Sequence, residues 1–160
     1  GRGRIGDQRC VIVEYCPRSL AVITESRRDE GRFLEPSEFL KWGMELTTGM
    51  NFLHDYGMCH GDLKPNNILI DANNQLKIAD FGLSLRSDSQ NINTKTTYTK
   101  GTARYMAPEQ HNRTEINTVD LRRCDVWSYG LCLWEMITCR IPFDNIPDAA
   151  LSRHIGRNDE

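Results

Sequence analysis

The chain has 160 residues, 39% of them hydrophobic and 26% charged, with a formal net charge of −2. That length supports one hydrophobic core, and the balance is that of an ordinary globular domain rather than a disordered or fibrous one. The near-neutral charge excludes the basic footprint of a nucleic-acid binder, and the longest apolar run, Tyr129 to Trp134, is too short to insert across a membrane. The arginines at 2, 4, 27 and 28 read as solvated surface. Six cysteines (Cys10, Cys16, Cys59, Cys124, Cys132, Cys139) lack any Cys-x-x-Cys spacing, and several sit in apolar runs. With no signal peptide in view, this predicts free thiols in a reducing, cytoplasmic setting.

The chain opens with Gly1-Arg2-Gly3-Arg4-Ile5-Gly6, whose glycines predict a flexible terminal loop. Cys10 to Val13 is a β-prone apolar run that reads as a buried strand, and Glu14-Tyr15-Cys16-Pro17 closes it as a linker. Residues 19–28 can form a short helix, and Gly31 to Pro36 reads as a loop. A longer helix is expected from about Ser37 to Tyr56, with Ser37 as its cap and Phe39, Gly43, Leu46, Met50 and Leu53 along one face. Gly57 is placed to end it in a left-handed conformation. Ile68-Leu69-Ile70 and Gln75 to Ile78 predict two short strands joined by the turn-rich Asp71-Ala72-Asn73-Asn74. Residues 84–102 are polar and carry no periodic pattern. From Asp125 to Cys139 apolar residues cover almost every face, which predicts a wholly buried central helix. Pro142 and Pro147 separate it from a last helical stretch at 147–155.

Three motifs punctuate these elements: His60-Gly61-Asp62-Leu63-Lys64-Pro65-Asn66-Asn67 after the long helix, Asp80-Phe81-Gly82 after the second strand, and Ala107-Pro108-Glu109 further on. Phosphoryl transfer to a hydroxyl passes through a loose transition state, so the base need only be an ordinary carboxylate held in line. Asp62 suits that role. Magnesium on the phosphates takes oxygen ligands, and Asn67, five positions after Asp62, suits this together with Asp80.

In this order and spacing the motifs resemble the eukaryotic protein kinases over nearly the whole chain. The resemblance implies an α+β, protein-kinase-like fold, mainly the helical C-terminal lobe with short strands around the catalytic loop and the N-terminal lobe absent. It implies a partial kinase domain over 1–160, with a hinge near 11–17, a catalytic loop at 60–67, an activation segment at 80–109 and a buried central helix at about 125–139. It further implies ATP and Mg2+ as cofactors and a protein substrate with a Ser or Thr acceptor, with neither nucleic acid nor membrane as partner. By resemblance, Asp62 is the base, Lys64 contacts the γ-phosphate, and Asn67 and Asp80 hold magnesium. The Glu14 carbonyl and the Cys16 backbone would bond the adenine edge, with Val13 guarding the deeper pocket and Leu69 flooring it. His60 and Phe81 would stack, Asp125 would hold the catalytic-loop backbone, and Thr102 would bond Asp62 and Lys64. Lys64 favours serine/threonine substrates, and the run Asp125 to Gly130 with Leu133-Trp134-Glu135-Met136 resembles the tyrosine-kinase-like group.

Three departures qualify the resemblance. Gly1 to Gly6 spells G-x-G-x-x-G, yet a phosphate lid must precede a lysine strand and a glutamate helix, and the first lysine here is Lys41, beyond the hinge. The far end lacks the helices carrying an arginine partner for Glu109. The 160 residues alone are therefore expected to be inactive. Gly61 stands where most kinases carry an arginine that receives an activation-loop phosphate, which weakens the case for Thr94, Thr96, Thr97, Tyr98 and Thr99 as phosphosites. Two other readings stay open: a small-molecule phosphotransferase of the aminoglycoside/choline kinase type, which shares His-Gly-Asp, and a pseudokinase binding module.

Overall fold

The computed structural model describes residues 1–86, 102–111 and 120–156. The N-terminal residues form a hairpin, β1 (Arg2–Ile5) against β2 (Gln8–Val11), with Arg4 opposite Arg9 and Gly6 in the turn at φ +58°. The expected flexible loop is thus a strand, because a two-residue Gly6-Asp7 turn lets the flanking backbone pair. The expected buried strand at 10–13 is also corrected. Pairing closes with the Ile12 amide donating to the Gly1 carbonyl at 2.8 Å, and Val11, Ile12 and Val13 are exposed, since a two-stranded ribbon has no second layer to cover them.

Beyond the linker, β3 (Arg18–Ser19) runs directly into α1 (Leu20–Asp29), where the Ser19 hydroxyl accepts from the Val22 amide at 3.4 Å. The long helix α2 spans Pro36–Asp55. Its cap is Glu35, not Ser37: proline at the first helical position gives up an amide that had no partner anyway, and the Glu38 carboxylate reaches back to the Glu35 amide at 3.2 Å. Gly57, at φ +69°, follows its end as expected. Leu46, Met50 and Leu53 are buried as the periodicity predicts, and Trp42, 1% exposed, joins them as the largest core side chain. Its indole N–H donates to the Asn74 carbonyl at 3.3 Å, and the Glu45 carboxylate accepts from the Leu76 amide at 2.8 Å. These two bonds seat α2 on the hairpin of β5 (Ile68–Ile70) and β6 (Leu76–Ile78). Packing is closest at Gly49, where a Cβ would lie 2.7 Å from Ile78 Cδ1.

Strands β3, β5 and β6 form one antiparallel sheet, and β4 (Met58–Cys59) pairs with β7 (Leu85–Arg86) in another. The latter shows that the stretch expected to lack pattern begins as a strand. Asp71 organises the β5–β6 turn, accepting from the Asn73 and Gln75 amides at 2.8 and 2.9 Å, and these donors hold its carboxyl below the usual range. Two short helices follow: a 3-10 turn at Thr102–Tyr105 and α3 (Pro108–His111).

Helix α4 spans Leu121–Thr138 and α5 spans Asp148–Ile155. The Asp120 carboxylate caps α4 at the Arg122 amide, 3.0 Å away, so the helix starts four residues ahead of the expected Asp125. Nor is it buried all round: Val126, Trp134 and Ile137 are exposed, while Cys124, Asp125, Ser128, Cys132, Glu135 and Met136 are buried. The inward stripe is small or polar because other segments approach it closely and bond to it. Thr24 of α1 and Tyr105 donate to the two Glu135 carboxyl oxygens at 2.9 and 2.6 Å. All six cysteines are free, and burial pushes the Cys59 thiol up to about 11. No helix among the described residues is long and apolar enough to cross a membrane.

Two outcomes check this account. Trp42→Ala empties the main contact between α2 and the β5–β6 hairpin, and chemical denaturation should show a loss of about 3–5 kcal/mol. Glu135 reads out by pH. Burial outweighs its two hydroxyl donors and raises its carboxyl above the ordinary value. The folded chain therefore keeps this proton to higher pH than the unfolded chain, and its contribution to stability declines as pH rises through the raised value. As pH rises above the ordinary glutamate range, the melting temperature of the wild type should fall relative to that of Glu135→Gln, whose amide carries no charge to bury.

Candidate functional site

The loop from His60 to Asn67 is strung between β4 and β5, and its shape follows from one buried carboxylate. Asp125, 1% exposed on α4, accepts from the His60 amide at 2.8 Å, the Gly61 amide at 2.9 Å and His54 Nε2 at 2.9 Å. Gly61 sits at φ +78°, a left-handed conformation open to glycine at little cost, directly after the two N–H groups that this anion holds. His54, on the last turn of α2, is a residue the sequence reading missed. Its spacing from Asp125 carries no motif, and only the packing of α2 against α4 brings them together.

His60 is fully buried. Its Nδ1 accepts from the Asp62 amide at 3.2 Å and its Nε2 lies 3.0 Å from the Ala79 carbonyl, so the Nε2–H tautomer satisfies both partners. The ring lies 5.5 Å from that of Phe81, between centroids, and the two planes are tilted by 50°. The expected contact between these two side chains is present.

Asp62 is tightly held. Lys64 Nζ donates to its Oδ2 at 2.7 Å, and Asn67 Nδ2 donates to its carbonyl at 2.8 Å and to Oδ2 at 3.3 Å. The carboxylate is 9% exposed and the Lys64 side chain 16%. The other oxygen, Oδ1, is buried without a hydrogen-bond partner among the described residues. An unpaired carboxylate oxygen in such a place is costly, and it is the feature of a group with an acceptor position to offer a substrate proton.

The β5–β6 hairpin brings Asn67 and Asp80 to one end. The Ala79 amide donates to the Asn67 carbonyl at 2.8 Å, one residue beyond the Ile68–Ile78 pair. Asp80 is exposed, with a left-handed backbone (φ 61°) and its Oδ1 accepting from the Gly82 amide at 3.3 Å. Asn67 directs its amide nitrogen at Asp62, which leaves the amide oxygen as the atom chemically able to meet a cation. Among the described residues no cluster of three or more His, Cys, Asp or Glu side chains is placed to hold a metal ion. A carboxylate with a carboxamide makes a sparse oxygen set of the kind that suits magnesium already carried on phosphates.

The other predicted residues divide three ways. Leu69, half-buried, pairs with Ser19 across β3 and β5. Glu14 is exposed and Cys16 half-buried in the segment joining the hairpin to β3, where desolvation raises the Cys16 thiol. Thr102 opens the 3-10 turn preceding the Ala107-Pro108-Glu109 motif, and its side chain lies outside what the structure describes. Thr94, Thr96, Thr97, Tyr98 and Thr99 lie outside the described residues. Glu109 accepts from the Cys124 thiol at 3.5 Å.

Comparison with known proteins adds independent support. Residues 4–159 match the family model described as protein kinase domain. The chain is 36% identical over 150 residues to mitogen-activated protein kinase kinase kinase dlk-1 of Caenorhabditis elegans, covering 93% of this chain and 15% of that protein. It is 34% identical over 149 residues to mitogen-activated protein kinase kinase kinase 12 of Rattus norvegicus, covering 93% and 16%. With mitogen-activated protein kinase kinase kinase 13 of Homo sapiens the figures are 33% over 149 residues, 93% and 14%. The chain thus spans about one seventh of the length of these relatives.

The loop geometry predicts a large effect at Asp125. Asp125→Ala leaves the His60 and Gly61 amides without their acceptor, at about 1–3 kcal/mol for each buried unpaired donor. Denaturation should register a loss of about 3 kcal/mol or more, and amide exchange at Gly61 should accelerate ahead of exchange in α2.

Proposed function

Because this chain belongs to the protein kinase domain family, we propose that it carries the phosphoryl-transfer half of a serine/threonine kinase, with the γ-phosphate of ATP passing to a protein hydroxyl. The observation that carries this reading is the Asp62–Lys64–Asn67 constellation. A carboxylate with one oxygen spare is held by a cation and an amide, on a loop whose backbone is pinned to a buried helix. Residues 1–160 correspond in this reading to the hinge and most of the C-terminal lobe, with the catalytic loop at 60–67 and the activation segment at 80–109.

Asp62 accepts a hydrogen bond from the acceptor Ser or Thr through its spare oxygen, orients that hydroxyl and takes its proton as the new O–P bond forms and the bond from the γ-phosphorus to the β–γ bridging oxygen breaks, releasing ADP. Lys64, whose Nζ donates to Asp62 Oδ2, would set its positive charge beside the transferring phosphate. Asn67 and Asp80 would hold Mg2+, which neutralises charge on the phosphates when bound. The backbone groups of Glu14 and Cys16 would bond the adenine edge, above Leu69. Thr102 would bridge Asp62 and Lys64 from the peptide-positioning segment.

The Lys at position 64 and the helix run Asp125-Val126-Trp127-Ser128-Tyr129-Gly130 support serine/threonine specificity and the tyrosine-kinase-like group. The mitogen-activated protein kinase kinase kinase names of the relatives agree with a role in signalling. Ahead of the proposed hinge these residues contain no lysine, so the 160 residues by themselves should transfer phosphate poorly. Gly61 removes the usual cation for an activation-loop phosphate, so any control through residues 94–99 would need another receptor.

The decisive experiment is radiolabelled ATP with a Ser/Thr peptide library, using the full-length gene product and its Asp62→Asn variant. The proposal expects Mg2+-dependent labelling of peptide hydroxyls, reduced about 10²–10⁴-fold in the variant with ATP affinity retained. Labelling of an aminoglycoside or choline instead would move the chain to the small-molecule phosphotransferases. Nucleotide binding without any transfer would make it a pseudokinase.

A further inference from the structure

Arg104 and its neighbour Tyr105 face opposite ways. Tyr105 points into the core, where its hydroxyl bonds Glu135 and its carbonyl accepts from Ser128 at 2.8 Å. The Arg104 guanidinium points out to the connection between α4 and α5. Nη1 donates to the Pro142 carbonyl at 3.3 Å and to the Phe143 carbonyl, while Nη2 donates to the Ile146 carbonyl at 3.2 Å and to the Asp148 carboxylate. Only 15% of this side chain is exposed.

Three backbone carbonyls and a carboxylate converging on one point repel each other unless a cation sits among them. A planar guanidinium with donors on both arms meets that need, and a lysine point charge does not. The turn it organises is otherwise unfavourable: Phe143, a bulky residue, has φ +55°, and it is closed by the Ile146 amide donating to the Phe143 carbonyl at 2.9 Å. A second tie runs in parallel. His111 bridges the Ala103 carbonyl through Nε2 and the Ser152 hydroxyl through Nδ1, each at 3.1 Å. The segment from Thr102 to His111 is therefore bonded to α4 on one side and to the 142–152 region on the other.

We infer that Arg104 is a positioning residue: its guanidinium folds residues 142–148 into a turn and locks that turn to the 102–106 segment, making one rigid wall. On the kinase reading above, which the functional consequence rests on, that segment aligns the substrate peptide. Asp125 fixes the catalytic loop to the same helix that Tyr105 grips. Arg104 thus sets how the peptide wall stands relative to Asp62 without touching the reacting atoms.

The test uses Arg104→Met, Arg104→Lys and the milder Asp148→Asn in the full-length gene product. Hydrogen–deuterium exchange should accelerate at the Ile146 and Ala150 amides by about tenfold or more in Arg104→Met, with less change in Arg104→Lys and Asp148→Asn. Exchange at the Asp71 and Ala79 amides of the β5–β6 hairpin should stay as in wild type. Peptide KM should rise about tenfold in Arg104→Met while ATP KM stays within about twofold. Unchanged exchange at Ile146, equal acceleration at Ala79, or an unchanged peptide KM despite local loosening would each overturn the assignment. Should the wild type transfer no phosphate at all, the kinase reading fails separately, and the exchange pattern alone decides whether Arg104 is the lock.

Discussion

Everything at the candidate site hangs on the Asp125 carboxylate. A buried carboxylate must be compensated, and here two amides of the loop and one histidine do so, with no lysine or arginine salt bridge among the described residues. The compensation works in both directions. The loop amides need an acceptor as much as the carboxylate needs donors, so the backbone at 60–61 and the helix at 125 hold each other in place. Gly61 belongs to this arrangement as a backbone element. Its amide is one of the two donors, and its left-handed φ sets the direction in which the chain continues to Asp62, whatever its lack of a side chain means for regulation.

The same helix repeats the device at other heights. Ser128 donates to the Tyr105 carbonyl, and Glu135 takes one hydroxyl from Tyr105 and another from Thr24, 111 residues away in sequence. Helix α4 is thus a polar spine: its inward polar side chains bind the loop at 60–61, the segment at Tyr105 and helix α1. A hydrophobic stripe would supply more burial energy but would leave those segments free to slide, because apolar contact is non-directional. The hydrophobic core lies chiefly between α1, α2 and the small sheets, with Trp42 as its anchor.

Legibility in the sequence followed the range of the interactions. Local signals were readable: the α2 stripe, the Gly57 stop, the Asp71–Asn74 turn and the two strands it joins all depend on neighbours a few residues apart. The misreadings came where burial is set by distant partners. The run at 10–13 looks like a core strand but lies open on a two-stranded ribbon, and α4 looks apolar all round although it turns Val126, Trp134 and Ile137 outward. Ser37 is a good cap residue, yet Pro36 and the Glu38 side chain settle the helix start one turn position earlier. His54 and Arg104 left no motif, because each acts through groups far along the chain.

By itself the sequence determined the chemistry available: Asp62, Lys64, Asn67 and Asp80 at spacings that suit magnesium-assisted phosphoryl transfer, and helices and strands with the periods to carry them. Tertiary structure decided which of those groups are held and by what. It brought Lys64 and Asn67 onto one oxygen of Asp62 and left the other without a partner. It also recruited His54 to Asp125 and turned Arg104 onto the carbonyls of 142–146. The reason is physical: residue type fixes what bond a group can make, but a bond across tens of residues exists only once packing has paid the loop-closure entropy that brings its ends together.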